Sequence, residues 1–256
     1  MTSYDAVFHR YTAATSAIAA RRITRIVRSI LPLESVLDVG CGYGTWLRAW
    51  RELGVTEVQG VDGPWVDPTK LEIPPQSFAA LDLSEPFSLS RRFDLVQSLE
   101  VAEHLPASRA ATFVANLTAH ADAVLFSAAP PGQGGENHVN EQPYDYWRRL
   151  FHDHEFVAID CVRPLVAGDA SVSAWYRYNT LLYLRPTALA AIPEYVRMFR
   201  VAEDAPVPDV APSLYRWRRS AVRVLPQAVQ YGLARGLARW HARRWQARRL
   251  HAPSAP

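Results

Sequence analysis

The sequence has little of three features that would each indicate a class of protein. Only two cysteines, Cys41 and Cys161, occur in 256 residues, so a disulfide framework is excluded and a reduced, cytoplasmic setting is expected. No apolar run reaches the roughly 18 residues that a membrane-spanning helix needs. The first residues place apolar positions before basic ones, which is the reverse of a secretory signal.

Lysine is also scarce, since Lys70 stands against 27 arginines. The charge is divided unevenly: residues 1–186 carry a formal charge of −5, whereas residues 187–256 carry +8. A basic tail favours an anionic partner, either nucleic acid or the inner face of a membrane. The alternative is a helical face that is solvated, packs on the core or contacts a second subunit, which would give a homodimer.

Short apolar runs alternate with helical patterns over most of the chain. Strands are predicted at 35–40, 57–62, 77–83, 92–101, 123–130, 157–164 and 178–186, with helices between them. This alternation predicts an α/β fold with a seven-stranded, mostly parallel sheet and helices on both faces. We divide the chain into a domain over 1–190, a Pro-rich and acidic linker over 191–213 and a basic helical extension over 214–256.

The strongest motif is LDVGCGYGTW, which sets Gly40, Gly42 and Gly44 between the first strand and a helix. Glycine is needed where the backbone bends sharply or approaches a ligand closely. A dinucleotide-binding GxGxxG would require glycine where Thr45 stands, so a hydride-transfer enzyme is the weaker interpretation.

This motif resembles the first motif of class I S-adenosylmethionine-dependent methyltransferases, which have a Rossmann-like fold. The resemblance implies that the loop wraps the methionine end of the cofactor and that Asp38 lies near its amino group. It also implies that Asp62, which ends the second strand, binds the ribose hydroxyls and that Asp82 lies near the adenine. The cofactor-binding residues expected on this basis are Asp38, Gly40, Cys41, Gly42, Gly44, Asp62, Gly63, Asp82, Leu83 and Leu99.

The stretch SLEVAEHLP follows the fourth strand, where the fold faces the transferred methyl group. The pattern E-x-x-E-H with a later histidine resembles metal-dependent O-methyltransferases, including small-RNA 2′-O-methyltransferases and ubiquinone-pathway enzymes. That resemblance implies a Mg²⁺, Mn²⁺ or Zn²⁺ ion held by Glu100, Glu103, His104 and His138. Without a metal, His138 or His104 could act as general base beside Glu100.

The function expected is SN2 transfer of a methyl group to a hydroxyl of a small molecule, such as a sugar, a phenol or a secondary metabolite. One alternative is an RNA 2′-O-methyltransferase, although the acidic core disfavours nucleic acid at the site. The other is a non-methylating use of S-adenosylmethionine, such as intramolecular cyclisation.

Overall fold

The structure is a computed structural model that describes residues 3–226 and the isolated positions 229, 232 and 236, with side chains from Thr15 onward. Most of the predicted extension beyond 226 therefore lies outside the described residues.

The core of the described chain is a seven-stranded sheet. Its strands are β1 (Ser35–Val39), β2 (Glu57–Asp62), β3 (Phe78–Ala80), β4 (Leu95–Leu99), β5 (Ala123–Ser127), β6 (Val157–Ile159) and β7 (Leu181–Leu184). They lie in the order β3-β2-β1-β4-β5-β7-β6, and only β7 runs antiparallel to its neighbours. The predicted mostly parallel sheet is confirmed.

Nine α-helices connect and cover these strands within the described residues. They are α1 (Ser3–Ile30), α2 (Thr45–Glu52), α3 (Ala110–His120), α4 (Tyr144–His152), α5 (Arg163–Val166), α6 (Ala174–Asn179), α7 (Pro186–Ala191), α8 (Glu194–Arg197) and α9 (Ser213–Arg223). Every residue of β1, β4, β5 and β7 is buried, which explains why these strands read as continuous apolar runs.

Two apolar clusters form the core. One includes Ile23 of α1 and Trp50 of α2, and the other includes Phe113 of α3 and Trp147 of α4. The sheet is therefore covered on both faces, as predicted. Trp147 is 1% exposed, so it packs in the core and does not offer a stacking surface to a ligand.

Six of the seven predicted strands are shorter in the structure, and only β2 has the predicted bounds. β6 ends at Ile159 because the chain turns into α5, where the buried Arg163 guanidinium donates two hydrogen bonds of 2.7 Å to Asp160. Tyr178, predicted to begin the last strand, instead belongs to α6.

The segment predicted as a linker, 191–213, lies against the domain. Val196 and Val207 are buried, and Arg200 forms an antiparallel bridge with Ile159. The next helix, α9, continues this packing: a side chain at Gly132 would meet the backbone oxygen of Arg219 at 2.0 Å. The boundaries at 190 and 213 remain a prediction, but the first helix of the basic extension contacts the loop that follows β5.

Within the part of the chain that the structure describes, no helix is long and apolar enough to cross a membrane.

Candidate active site

The carboxyl ends of β1, β2, β4 and β5 meet at one edge of the sheet, where ligands bind in open α/β folds. The loop after β1 turns there through Gly40, Gly42 and Gly44, whose φ angles of 87°, 53° and 85° favour glycine. A side chain at Gly40 would meet Val101 at 2.4 Å, whereas nothing lies within 4 Å of the corresponding position at Gly42. The loop is thus packed at its start and open in its middle.

Asp62 closes this loop from the end of β2. Its Oδ2 accepts a hydrogen bond from the Gly42 N–H and its Oδ1 accepts one from the Gly63 N–H, each over 2.7 Å. Burial raises the pKa of Asp62, and the two N–H donors and the Trp65 side chain oppose that rise. The carboxylate that the resemblance assigns to ribose binding therefore also fixes the shape of the glycine loop.

Asp38 lies on β1 and is 3% exposed. Burial raises the pKa of Asp38 to about 7, with the Gln97 side chain opposing the rise and the charge of Asp62 adding to it. A cation placed beside this carboxyl would favour the charged form that burial disfavours.

The other predicted cofactor residues differ in their exposure to solvent. Cys41, Leu83 and Leu99 are buried at this edge or beneath it. Asp82 is exposed, and its Oδ1 accepts hydrogen bonds from the N–H and hydroxyl of Ser84 at 2.9 and 2.7 Å, which lowers its pKa. The carboxylate of Asp82 thus closes its own turn.

Trp65 is a residue of this region that the sequence analysis missed. Its side chain is largely exposed, and its ring lies over Gly63, where an added side chain would come within 2.0 Å of the indole. The motif does contain a signal for it, because an aromatic residue follows the acid that ends β2 by three positions.

Glu100 follows β4 with a φ of 57°, a left-handed conformation that is uncommon for a residue with a side chain. Its N–H donates to the Ser127 carbonyl over 2.9 Å, which ties the ends of β4 and β5 together. Strained backbone of this kind clusters at functional sites.

Two amides hold the carboxylate of Glu100. Gln133 donates to Oε2 over 2.7 Å and Asn179 donates to Oε1 over 3.1 Å. Asn179 also donates to Oε1 of Gln133 over 2.8 Å and accepts from the Tyr144 hydroxyl over 2.9 Å. Burial raises the pKa of Glu100, and these amides and Ser127 oppose the rise. The sequence analysis missed this amide network entirely.

Glu103, His104 and His138 lie together. One potential ligand atom from each lies within 4.8 Å of the others, and the two imidazole rings meet nearly at right angles with centroids 4.9 Å apart. The Glu103 carbonyl accepts hydrogen bonds from Val139 and Asn140 at 2.9 and 3.0 Å, which brings the glycine-rich loop carrying His138 onto the short turn after β4.

The Glu103 carboxylate is fully buried, and no side chain among the described residues donates a hydrogen bond to it. Burial raises the pKa of Glu103 well above its ordinary value, the negative charge of Glu100 raises it further, and the backbone N–H groups of Glu103 and Ala129 oppose the rise. Burial and the charge of His138 lower the pKa of His104 to about 4, so its imidazole is neutral at neutral pH. Two imidazoles beside a buried carboxylate fit a divalent cation.

Of the four predicted ligands, the structure groups three. Glu100 lies outside that group, and its oxygens already accept hydrogen bonds from Gln133 and Asn179.

A family model described as a methyltransferase domain matches residues 8–159. The chain belongs to the methyltransferase-domain family. The predicted class I S-adenosylmethionine-dependent methyltransferase is therefore confirmed, and with it the cofactor of that class.

Solved structures share the fold. DesVI from Streptomyces venezuelae superposes with a TM-score of 0.54 at 13% identity, over 72% of this chain and 99% of its own. The sugar N-methyltransferase KedS8 from Streptoalloteichus sp ATCC 53650 gives 0.51 at 16% identity, over 72% of this chain and 93% of its own. At these identities the likeness shows the fold alone. Among curated proteins, none matches this sequence.

Proposed function

We propose that this methyltransferase transfers its methyl group to a hydroxyl of a small molecule, such as a sugar, a phenol or a secondary metabolite. The observation that carries the proposal is the fully buried carboxylate of Glu103, which has no side-chain hydrogen-bond donor among the described residues, beside His104 and His138. A neutral amine is already nucleophilic, whereas a hydroxyl must be activated before it attacks. Two imidazoles and a buried carboxylate next to Glu100 can activate an acceptor, and their presence therefore favours a hydroxyl over an amine.

We propose Glu103, His104 and His138 as the ligands of a divalent ion. Two imidazoles and one carboxylate suit Mn²⁺ or Zn²⁺ better than Mg²⁺, which prefers an all-oxygen octahedral set. Such an ion supplies Lewis acidity that lowers the pKa of the acceptor hydroxyl. Glu100 is proposed to bind the acceptor, because its amide partners fix its carboxylate while leaving further lone pairs on each oxygen.

The cofactor supplies an electrophilic methyl carbon, and the chain holds the two reactants in line. We propose that Asp62 accepts the ribose hydroxyls with the lone pairs left over from its bonds to Gly42 and Gly63. Asp38 would face the amino group, and the open space beside Gly42 would receive the methionine end.

The test of the proposed function is methyl transfer to paired acceptors, a sugar or phenol and the analogue with an amine in place of the hydroxyl. We expect methylation of the hydroxyl acceptor, its loss on addition of EDTA and its recovery with Mn²⁺ or Zn²⁺. Full activity in EDTA with an amine acceptor would contradict the proposal and favour N-methylation, which is the activity named for KedS8. Mass spectrometry of the products separates a methylated acceptor from a cyclised cofactor.

The outward face of α9 supports a membrane partner for the basic extension. Leu214, Trp217 and Val224 are each more than 70% exposed, next to the exposed Arg216 and Arg223. From residue 210 to 256 the sequence has ten arginines and no acidic residue. We propose that this face rests on an anionic lipid surface. RNA and a second copy of the chain remain predictions that the same experiments test.

A further inference from the structure

His138 has a carboxylate partner that neither the glycine motif nor the E-x-x-E-H pattern points to. Its Nδ1 lies 2.8 Å from Oε1 of Glu141, three residues later, and the two side chains are 12% and 15% exposed. A neutral imidazole that donates from Nδ1 to a carboxylate keeps its lone pair on Nε2. The contact therefore selects one tautomer of His138 and one orientation of its ring.

Glu141 is itself held in place from the other side. The Gly132 N–H donates to Oε2 over 2.8 Å and the Gly134 N–H donates to Oε1 over 2.7 Å. Both glycines have positive φ angles, 82° and 70°, which turn their amides towards the carboxylate. Charge-assisted hydrogen bonds of this length are among the stronger ones in proteins, so the backbone of the glycine-rich loop holds the Glu141 carboxylate in one position.

The same loop also packs closely against the opposite end of the imidazole. A side chain at Gly135 would come within 2.0 Å of Nε2 of His138. The imidazole can therefore occupy this position only because residue 135 has no side chain. The loop thus has two separate functions: Gly132 and Gly134 fix Glu141, and Gly135 lets the His138 ring pack against the loop.

We propose that Glu141 is the positioning residue of the site, which holds His138 with Nε2 directed to the group formed with Glu103 and His104. The inference rests on the proposed function, in which His138 is a working residue. A carboxylate behind a metal-binding histidine fixes its tautomer and raises its basicity. The same arrangement serves a histidine that acts as general base.

The tautomer of His138 tests the inference without any metal. Long-range ¹H–¹⁵N spectra of protein with ¹⁵N-labelled histidine, recorded at pH 8, would be assigned by the signal lost in His138→Asn. We expect the proton on Nδ1 in the wild type and a shift towards the other tautomer in Glu141→Ala. Gln142→Ala, at the adjacent position, is the control and should leave the spectrum unchanged. A wild-type proton on Nε2, or no change in Glu141→Ala, would overturn the inference.

Calorimetric titration with Mn²⁺ or Zn²⁺ separates the two proposals. We expect affinity to fall 10- to 100-fold in Glu141→Ala and less in Glu141→Gln, which keeps an oxygen that can accept from Nδ1. Thermal unfolding of Glu141→Gln without metal checks that the loop is still folded. If the wild type binds neither ion but the tautomer depends on Glu141, the metal site fails and the positioning role stands. If Glu141→Ala binds metal as tightly as the wild type, the positioning role fails.

Discussion

Gly42 donates its backbone N–H to Oδ2 of Asp62 over 2.7 Å, so the acid at the end of β2 is bonded to the middle of the loop that follows β1. Gly63 donates to the other carboxylate oxygen over the same distance. One side chain thus shapes the loop and, in the proposed function, accepts the ribose. Removal of the Asp62 carboxylate should therefore both loosen the glycine loop and delete the hydrogen bonds to the ribose.

Asp62→Ala is expected to weaken binding of S-adenosylhomocysteine by about 100-fold or more, measured by calorimetry. Hydrogen bonds to a charged group contribute about 1.5–3 kcal/mol each, and this variant would lose two to the ribose as well as the contact that holds Gly42. Asp67→Ala is the matched control, because Asp67 lies five residues later and, in the described part of the chain, its carboxylate contacts Thr69 and Lys70 and not the glycine loop. Equal affinity in Asp62→Ala and wild type would remove Asp62 from the ribose site.

Asp38 should make the stability of the cofactor-free protein fall as pH rises. Its pKa is raised from 3.8 to about 7 by burial, so between about pH 4 and pH 7 the unfolded chain gives up a proton that the folded chain keeps. The stabilisation is present below pH 4 and is lost as pH rises through 7. Its size is of the order of 4 kcal/mol, since the pKa is raised by about three units and one unit corresponds to about 1.4 kcal/mol.

Urea unfolding of wild type and Asp38→Asn at pH 5 and pH 8 measures this effect, because the difference between the two proteins isolates Asp38 from the other buried acids. We expect Asp38→Asn to gain stability relative to wild type as the pH increases. Asp82→Asn is the control that should show no change between pH 5 and pH 8, since the Ser84 contacts lower the pKa of Asp82 and it is ionised in both the folded and the unfolded chain over this range. A wild-type minus Asp38→Asn difference that does not change with pH would show that Asp38 is ionised throughout.

The sequence predicted those parts of the site that depend on residues close together in the chain. The glycine loop, Asp62 at the end of β2 and the pair Glu103–His104 each lie within a single strand–turn unit, so spacing alone locates them. His138 could be added because its loop follows the next parallel strand, and the carboxyl ends of such strands meet.

The amide network around Glu100 could not be predicted in this way. Asn179 is 79 residues from Glu100, and it reaches the site only because β7 runs antiparallel beside β5, which puts the residues just before β7 at the carboxyl end of β5. The pairing of β7 with β5 depends on the whole sheet and leaves no pattern in the sequence near Asn179. The contact of Arg219 with Gly132 has the same origin, since it depends on how 191–213 returns across the sheet.

Glu103→Gln should have opposite effects with and without metal. Above its ordinary pKa, the buried Glu103 carboxyl costs stability because it must either stay protonated or ionise away from water, so the neutral amide is expected to raise Tm in EDTA. In the wild type a bound ion should raise Tm, because an ion concentration of 100 times Kd adds about 2.7 kcal/mol to the free energy of unfolding. Glu103→Gln should lose that response.

Differential scanning fluorimetry with Mn²⁺, Zn²⁺ and EDTA measures both effects. The control is Glu85→Gln, because Glu85 is exposed and paired with Arg109 on the surface. An unchanged metal response in Glu103→Gln would exclude Glu103 as a ligand. A lower Tm of this variant in EDTA would show that the carboxylate has a partner in solution.

The outward face of α9 should bind vesicles that contain anionic lipid. We expect flotation with phosphatidylglycerol vesicles but not with pure phosphatidylcholine, and loss of binding at high salt, because arginines near a charged surface contribute about 1 kcal/mol each. Trp217→Ala should weaken binding at least tenfold, since it removes the largest apolar side chain of that face. Trp65→Ala is the matched control, because Trp65 is equally exposed, 74% against 71%, but lies after β2. If Trp217→Ala floats with the vesicles as the wild type does, the face does not bind lipid. If RNA binds more tightly than vesicles in a filter assay at the same salt, the partner is RNA. A concentration-dependent dimer that dissociates in Trp217→Ala would identify the partner as a second copy of the chain.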